Sequence, residues 1–253
     1  VLVWESNEGS VSWNFNVKQE GKYYLRFNYL SFNNNASSVQ FSAEIDGRYP
    51  FFEASQLEMP KAFKCENDTR QDDKGNDIRP DLTAYEEWIT SPVNAPGGAD
   101  NNPYAFYLSA GQHTLTVNGA VMGIAIESFA FYNEPELSSY SDYSSSAAAV
   151  KNGYTQRYEA EKPLYVSSRM LYPVYDRTSI ETSPSNPSKM RYNTMGQSNY
   201  STNGQYIVWT VNVPESGYYY LGMRIRQNLS VGMISYRRLY VNGKVPFKEA
   251  DSI

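Results

Sequence analysis

Apolar and polar residues alternate with a period of two along several short stretches of this chain. In residues 11–17 the apolar side chains occupy every second position, as Val11, Trp13 and Phe15 show, and residues 23–29 repeat that spacing. A period of two is typical of a β-strand that buries one face. The two stretches therefore predict two strands, joined by a turn at Gly21.

The same spacing predicts further strands at residues 39–45, 104–108, 111–117 and 123–132. Asp46-Gly47, which follows the first of these, is a strong signal for a tight hairpin turn. Short strands separated by regular turns are typical of a β-sandwich in jelly-roll or Greek-key form. The fold class predicted from the pattern is therefore all-β.

One long stretch of the chain occurs twice, at an offset of 196 residues (209 − 13) measured between Trp209 and Trp13. The same offset pairs Gly217 with Gly21, Tyr219 with Tyr23, Leu221 with Leu25, Gly243 with Gly47, Pro246 with Pro50, Phe247 with Phe51 and Ala250 with Ala54. Solenoid repeats have periods of about 20–50 residues, so an offset this long indicates a duplicated domain.

The duplication predicts two tandem modules. Residues 1–137 form the first module, which is expected to lack its first strand because the chain opens inside a strand-like pattern. Residues 138–155, rich in Ser and Ala, are the connector, with a short helix capped by Ser138. Residues 156–253 form the second module, which is expected to lack its C-terminal half because no counterpart of 104–132 follows Ala250.

The charge balance and the scarcity of reactive side chains exclude several classes of function. The net charge is −5, which leaves no basic footprint for nucleic acid. No apolar run reaches the roughly 20 residues that span a bilayer, so no transmembrane segment is expected. The single cysteine, Cys65, permits no internal disulfide, and the single histidine, His113, argues against a catalytic triad or a histidine-rich metal site.

Pairs of carboxylates raise the question of glycoside cleavage, which needs two carboxyl groups flanking a cleft about 5–10 Å apart. Glu86 and Glu87 are adjacent and fit this geometry poorly, whereas Glu159 and Glu161 have a compatible spacing on a predicted strand. No further residue supports catalysis, and the chain is predicted not to be an enzyme.

Two long polar stretches, residues 66–102 and 170–203, combine aromatic residues with Asn, Asp and Arg. Sugar recognition uses this combination, because an aromatic ring packs on the C–H face of a sugar while planar polar groups bind its hydroxyls. The candidate ligand-binding residues are Tyr85, Trp88, Asn101, Asn102, Tyr104, Tyr172, Tyr175, Asp176, Arg177, Tyr192 and Asn193. The other interpretation is that these aromatic side chains fix the loops to the sandwich or form a domain interface.

The opening Tyr158-Glu-Ala-Glu161 and the later segment VPESGYYYLGMRIR (213–226) resemble the galactose-binding-like sandwiches of carbohydrate-binding module families six and thirty-five. That resemblance covers roughly residues 158–253 and implies two tandem jelly-roll modules. It also implies a structural calcium site to which Glu159 and Glu161 contribute. The alternative is that these carboxylates are solvated or paired with a basic side chain.

A closer resemblance covers nearly the whole chain and rests on four strings, KGNDIRP (74–80), LYPVYDR (171–177), SKMRYNTMG (188–196) and NGKVPFKEA (242–250). They are similar to the N-terminal region of lipid-anchored extracellular solute-binding proteins of carbohydrate ABC transporters in Gram-positive bacteria. The resemblance implies an extracellular protein attached to the bacterial cell surface, with a polysaccharide or oligosaccharide, the downstream solute-binding domain and the transporter as partners. Two functions remain open: a non-catalytic pair of carbohydrate-binding modules, or structural spacers and interaction modules that bind no sugar.

Overall fold

The structure is a computed structural model that describes residues 1–32, 38–65, 69–94, 102–121, 123–134, 136–145, 153–227 and 232–253. Its regular structure is mostly β and forms several antiparallel sheets, in agreement with the predicted all-β class. The chain divides into two compact units. The first comprises Val1–Asn133 with Glu159–Thr210, and the second comprises Glu134–Tyr158 with Val211–Ile253.

The strands in chain order are β1 (Leu2–Trp4), β2 (Ser10–Val17), β3 (Gly21–Ser31), β4 (Val39–Ile45), β5 (Leu57–Met59), β6 (Phe63–Cys65), β7 (Leu82–Ala84), β8 (Ile89–Pro92), β9 (Ala105–Leu108), β10 (Gly111–Val121), β11 (Ile124–Tyr132), β12 (Tyr165–Val166), β13 (Pro173–Val174), β14 (Thr194–Met195) and β15 (Ile207–Val208). The α-helix α1 spans Tyr140–Ser145, and 3-10 helices span Phe52–Ser55, Gln197–Asn199 and Lys248–Asp251. In the described part of the chain, no helix has both the length and the apolar character needed to cross a membrane.

The alternation of apolar residues predicted the main strands of the first unit. The strand predicted at 39–45 is β4 with the same bounds, and the stretches 11–17 and 23–29 lie within β2 and β3. The three strands predicted between 104 and 132 correspond to β9, β10 and β11. By contrast β8, which pairs with the central strand β3, lies inside a stretch that was expected to be a loop.

Two sheets of the first unit enclose one apolar core. One sheet has the order β1-β11-β3-β8, with β9 also paired to β3, and the other has the order β2-β10-β4-β5. Leu25 and Phe27 on β3 and Phe41 on β4 are completely or almost completely buried in the same cluster. The rings of Phe27 and Phe41 meet edge to face with their centroids 5.7 Å apart. Two antiparallel sheets that pack face to face across such a core make this unit sandwich-like.

A third sheet, in the order β15-β12-β6-β7, attaches residues 159–210 to the sandwich. Val166 of β12 pairs with Phe63 of β6, and these two side chains and Leu171 are buried together in a second apolar cluster. The compact units therefore do not follow the predicted modules 1–137 and 156–253, because apolar side chains from residues 159–210 pack with the first module. The division of the chain into modules 1–137 and 156–253 stays a prediction.

The second unit contains the short helix that was expected in the connector. Its cap is Ser139 rather than Ser138: the Ser139 hydroxyl oxygen accepts a hydrogen bond from the Asp142 backbone N–H at 3.1 Å and donates one to the Asp142 carboxylate at 2.7 Å. Tyr140 and Tyr143 of α1 place their rings against Phe247, with centroid distances of 5.0 and 5.2 Å.

The repeat is visible in the backbone of the second unit as well as in its sequence. Asp46 and Gly47 have φ angles of 53° and 75°, and Asn242 and Gly243 have φ angles of 51° and 75°. Both turns are closed by reciprocal backbone hydrogen bonds, between residues 45 and 48 and between residues 241 and 244. The same offset relates the 3-10 helices Phe52–Ser55 and Lys248–Asp251.

Among the described residues, the second copy keeps the turns of the first copy but not its long strands. Among the described residues between 204 and 253, regular pairing is limited to β15 and an isolated bridge between Val241 and Lys244. The long strands β2 and β3 therefore have no counterpart among the described residues of the second copy. In the first copy those strands are held by ladders to β10 and β11, and a strand without a neighbour leaves its backbone N–H and C=O groups unpaired.

Candidate functional site

Tyr85 and Trp88 lie close together in sequence, but only Trp88 is on the surface. The backbone N–H of Tyr85 donates to the carbonyl of Ala62 at 2.9 Å, and its ring stacks on Tyr165 with the centroids 4.6 Å apart. Burial raises the pKa of Tyr85, and the nearby Glu87 carboxylate raises it further. Trp88 is 41% exposed and comes directly before β8. Tyr85 therefore has a packing role, and the Trp88 indole faces solvent from a fixed position.

Asn102 and Tyr104, two further candidates of the first loop, lie away from Trp88. Asn101 is outside the described residues, and Asn102 is exposed. Asn94 and Pro103 form a bridge just beyond the end of β8, so Asn102 and Trp88 flank opposite ends of that strand. The Tyr104 ring packs on Phe51 with a centroid distance of 5.0 Å and belongs to the margin of the main core. Asn102 and Tyr104 are therefore not brought beside Trp88.

Asp176 and Asn193, two candidates from the second loop, are buried and bind each other. The Asp176 backbone N–H donates to the Asn193 side-chain oxygen at 2.9 Å, and the Asn193 amide nitrogen donates to the Asp176 carbonyl at 3.0 Å and to the Pro184 carbonyl at 2.8 Å. The Asp176 carboxylate accepts hydrogen bonds from the backbone and the hydroxyl of Thr178. Buried polar groups with such local partners stabilise a loop, and they are not presented to a ligand.

Two tyrosines of the second loop contact the first loop within the same unit. The guanidinium carbon of Arg79 lies 4.6 Å from the centroid of the Tyr172 ring, a cation–π contact. The Tyr192 backbone N–H donates to the Asp77 carboxylate at 3.1 Å, and burial raises the pKa of the Tyr192 hydroxyl.

Tyr175 and Arg177 lie on the outer side of the second loop. The Tyr175 hydroxyl donates to the Lys189 carbonyl at 3.5 Å. The Arg177 guanidinium carbon lies 5.4 Å from the Tyr175 ring centroid, and Nη2 donates to the Pro187 carbonyl at 2.9 Å. Tyr175 and Arg177 are brought together, and Arg177 is exposed, but both are also held by the loop itself.

Residues 72–77 and 189–192 bind each other closely, and we call this pair of segments the loop interlock. At its centre, the buried Asp77 carboxylate accepts hydrogen bonds from Arg191 Nη1 at 3.0 Å and from Gln71 Nε2 at 3.0 Å. Arg191 Nη1 also donates to the Gly75 carbonyl at 2.8 Å, and the Met190 backbone N–H donates to the Asn76 side chain at 3.0 Å. Two of the strings on which the family resemblance rests, 74–80 and 188–196, thus meet each other.

The sequence did not identify Asp77 or Arg191 as important. Residues 72–76 look like an ordinary polar turn in the sequence, and Asp72 does make one: its carboxylate accepts from the backbone N–H of Lys74 and of Asn76. Burial of Asp77 depends on residue 191, which is more than a hundred positions away. The available signal in the sequence was that the strings 74–80 and 188–196 both combine charged and polar residues.

The carboxylates of Glu159 and Glu161 do not lie on a strand. Residues 159–162 form a turn closed by a hydrogen bond from the Lys162 N–H to the Glu159 carbonyl at 3.1 Å, and β12 begins only at Tyr165. The prediction of a strand here is therefore wrong. Within the described ranges, no three His, Cys, Asp or Glu side chains gather as they would around a metal ion. A calcium site that includes Glu159 and Glu161 stays a prediction.

Cys65 and His113 take part in packing and turn contacts of the sandwich. Cys65 is buried in β6, and burial raises the pKa of its thiol to about 11, which keeps it protonated and unreactive. His113 Nδ1 lies 2.7 Å from the Asp46 carboxylate and Nε2 lies 2.9 Å from the Ser109 carbonyl.

Comparison with known proteins assigns no family. No protein-family model matches the chain. No curated protein matches it either. The functional interpretation therefore depends on the residues and their geometry.

Proposed function

We propose that the chain is a non-catalytic carbohydrate-binding protein whose sandwich unit contacts a polysaccharide or oligosaccharide through Trp88. The observation that carries the proposal is the exposed indole of Trp88, which is held on both sides along the chain. Tyr85 before it stacks on Tyr165, and Ile89 of β8 after it is buried. A flat aromatic face held at a surface suits the C–H face of a sugar ring and loses little conformational freedom on binding.

The polar groups that would surround the sugar lie next to Trp88. Glu86 and Glu87 are exposed beside it and provide acceptors for sugar hydroxyl groups. The proposal includes the tandem jelly-roll, galactose-binding-like architecture and the extracellular, cell-surface location that the family resemblance implies. Calcium, the downstream solute-binding domain and the ABC transporter belong to the same proposal.

The second candidate function is that of a structural or interaction module without sugar binding. It is favoured by the contacts of the second loop, because Asp176, Asn193 and Tyr172 bind other residues of the first unit. In that case the exposed Trp88 would contact another protein surface.

Affinity electrophoresis of the intact 253-residue chain against a panel of plant and host polysaccharides separates the two functions. We expect retardation by at least one polysaccharide, and a Trp88→Ala variant should weaken it by about tenfold or more, since truncating an aromatic side chain at the centre of a contact costs about 2 kcal/mol or more. The matched control is Tyr107→Ala, which removes another exposed aromatic side chain from β9. Absence of retardation on every polysaccharide, or equal loss in both variants, would contradict the proposal.

A further inference from the structure

The outer face of the sheet β2-β10-β4-β5 is polar and carries few charges. Apolar side chains of β2, β10 and β4 contribute to the main core, so the alternate positions of these strands face away from it. These outer positions are the even-numbered residues of 10–16, 112–118 and 40–44. Asn, Gln, Ser and Thr occupy all of them except one, which is Glu44. The face therefore consists mainly of uncharged amide and hydroxyl groups.

Ser42, Glu44, Tyr49 and Asn118 form one hydrogen-bonded network on this face, and we call these four residues the Tyr49 site. The Asn118 side-chain nitrogen donates to the Ser42 hydroxyl oxygen at 3.1 Å and to the Glu44 carboxylate at 3.0 Å. The Tyr49 hydroxyl donates to the same Ser42 oxygen at 3.4 Å. Ser42 is buried, whereas Tyr49 is 49% exposed. The tyrosine is thus anchored at its hydroxyl and leaves part of its surface open to solvent.

The Tyr49 site has acceptor oxygens that a ligand can use. Within the described part of the chain, no group donates a hydrogen bond to the Asn118 side-chain oxygen or to Oε2 of Glu44. Both side chains are only half-buried, so a ligand at the surface can reach these oxygens. The two hydrogen bonds from the Asn118 nitrogen fix the amide plane, and binding therefore costs little additional ordering of this side chain.

The second copy of the repeat shows that the scaffold around Tyr49 does not need this network. Both copies form the turn before Tyr49 or its equivalent, and both form the 3-10 helix after it. The offset of 196 nevertheless places different residues at the positions of the network: Val245 for Tyr49, Arg238 for Ser42 and Tyr240 for Glu44. The network is therefore a feature of the first copy alone, and the shared turn and helix do not account for it.

The chemistry of the face favours a ligand that is rich in hydroxyl groups and has no charge. None of the outer positions of the three strands is Lys or Arg, so the sheet offers no cation to a phosphate, sulfate or carboxylate group. The Tyr49 site offers a protein partner one aromatic side chain, whereas the centre of a protein interface is enriched in aromatic residues and Met. An aromatic ring beside amide and carboxylate oxygens matches the C–H face and the hydroxyl groups of a neutral sugar.

We propose that the Tyr49 site binds one residue of a neutral oligosaccharide or polysaccharide. The Tyr49 ring packs against the C–H face of the sugar, and the side-chain oxygens of Asn118 and Glu44 accept hydrogen bonds from its hydroxyl groups. Trp88 comes directly before β8, which belongs to the other sheet of the sandwich. The Tyr49 site is therefore a second sugar site of the first unit, and binding there does not depend on Trp88.

The experiment measures binding to an array of immobilised cello-, xylo-, malto- and galacto-oligosaccharides, with oligogalacturonides as acidic probes. The intact 253-residue chain carrying Trp88→Ala should still bind at least one neutral oligosaccharide. Adding Tyr49→Val, which introduces the residue of the second copy, should weaken that binding by about tenfold or more, because the contact loses its aromatic side chain. Adding Tyr107→Ala instead removes an exposed aromatic side chain of β9 and should leave the binding unchanged.

Tyr49→Phe keeps the ring and should retain most of the binding, whereas Glu44→Gln removes an acceptor oxygen and should weaken it. Loss of all binding in Trp88→Ala alone would overturn the Tyr49 site and leave the Trp88 site supported. Neutral binding that persists in Trp88→Ala and is not weakened by Tyr49→Val would also overturn it, as would a preference of Trp88→Ala for the acidic probes. Absence of binding by the unmodified chain would overturn both sites.

Discussion

His113 and Asp46 form a pair whose geometry favours the protonated imidazole. The two ring nitrogens of His113 face two acceptor oxygens, one on the Asp46 carboxylate and one on the Ser109 carbonyl. A neutral imidazole carries one N–H and can satisfy only one of them, whereas the imidazolium donates to both. The hydrogen bond to Asp46 is the main reason that the pKa of His113 is raised, and the bond to Ser109 adds to it.

The pair should make the stability of the sandwich depend on pH. Because the folded-state pKa of His113 lies above the usual 6.5, its contribution is complete below that value and is lost as the pH rises through the raised pKa. The pKa of Asp46 is lowered, chiefly by His113, so its contribution is present above the usual 3.8 and is lost as the pH falls through the lowered pKa. We expect the free energy of unfolding to be about 0.2–1 kcal/mol higher near pH 5.5 than near pH 8.5, measured by urea denaturation.

Asp46→Asn is the matched control for this prediction. Asn tolerates a positive φ, occupies the equivalent turn at Asn242, and can still accept the Thr114 N–H. The variant should keep the turn and lose the His113-linked part of the pH dependence. An unchanged pH profile in Asp46→Asn would contradict the assignment of that dependence to this pair.

The candidate site could be predicted from the sequence only in part, for a reason visible in single residues. The sequence marked Trp88, Asp176 and Asn193 as candidates because sugar-binding loops and well-packed loops use the same residue types. Trp88 is exposed, but Asp176 and Asn193 bind backbone groups and each other. Whether a polar side chain meets a ligand or a neighbouring carbonyl is decided by long-range packing, which residue type does not encode.

At the scale of elements, local signals predicted more than long-range ones. The strands β3 and β4 and the turns at Asp46 and Asn242 follow from alternation and from residues that tolerate positive φ. The strand β8 was missed because its four residues carry little alternation and owe their conformation to pairing with β3. The same dependence on a neighbour explains why 217–227 keeps the pattern of β3 without its regular pairing.

The stability of the loop interlock can be tested through the ion pair of Arg191 with the buried Asp77. Asp77→Asn removes the negative charge that faces Arg191. It also replaces one acceptor oxygen with an amide donor, although the groups that face it, Gln71 Nε2 and the Tyr192 N–H, are donors themselves. We expect the free energy of unfolding of the first unit to fall by about 3 kcal/mol, the lower part of the range for a broken buried pair. Thermal or urea unfolding measures it.

Asp81→Asn provides the control on the same loop, because its ion pair with Arg70 is exposed and 3.4 Å long. Exposed pairs contribute about 0–1 kcal/mol, so this variant should be nearly as stable as the wild type. Equal effects of the two substitutions would mean that the interlock does not stabilise the fold.

At the scale of the whole molecule, the repeat and the compact units divide the chain at different places. The repeat predicts a boundary at residues 138–155, whereas the packing of Phe63 with Val166 and Leu171 joins residues 159–210 to the sandwich. The two divisions make opposite predictions for the stability of a fragment of residues 1–137. If residues 159–210 belong to the folding unit, the fragment loses the strands β12 and β15 of the third sheet and the partner of its long loop.

We therefore expect a fragment of residues 1–210 to unfold at a higher urea concentration than a fragment of residues 1–137. Removing residues 159–210 exposes Phe63, and exposing one such side chain costs about 1.5–3 kcal/mol, so the difference in the free energy of unfolding should be at least about 1.5 kcal/mol. Far-UV circular dichroism follows the sheets in both fragments. Leu171→Ala in the longer fragment should destabilise it and so reduce the difference between the two fragments, because that side chain lies in the same cluster. Equal midpoints for the two fragments would show that residues 159–210 lie outside the cooperative unit, and the boundary predicted by the duplication would then be the correct one.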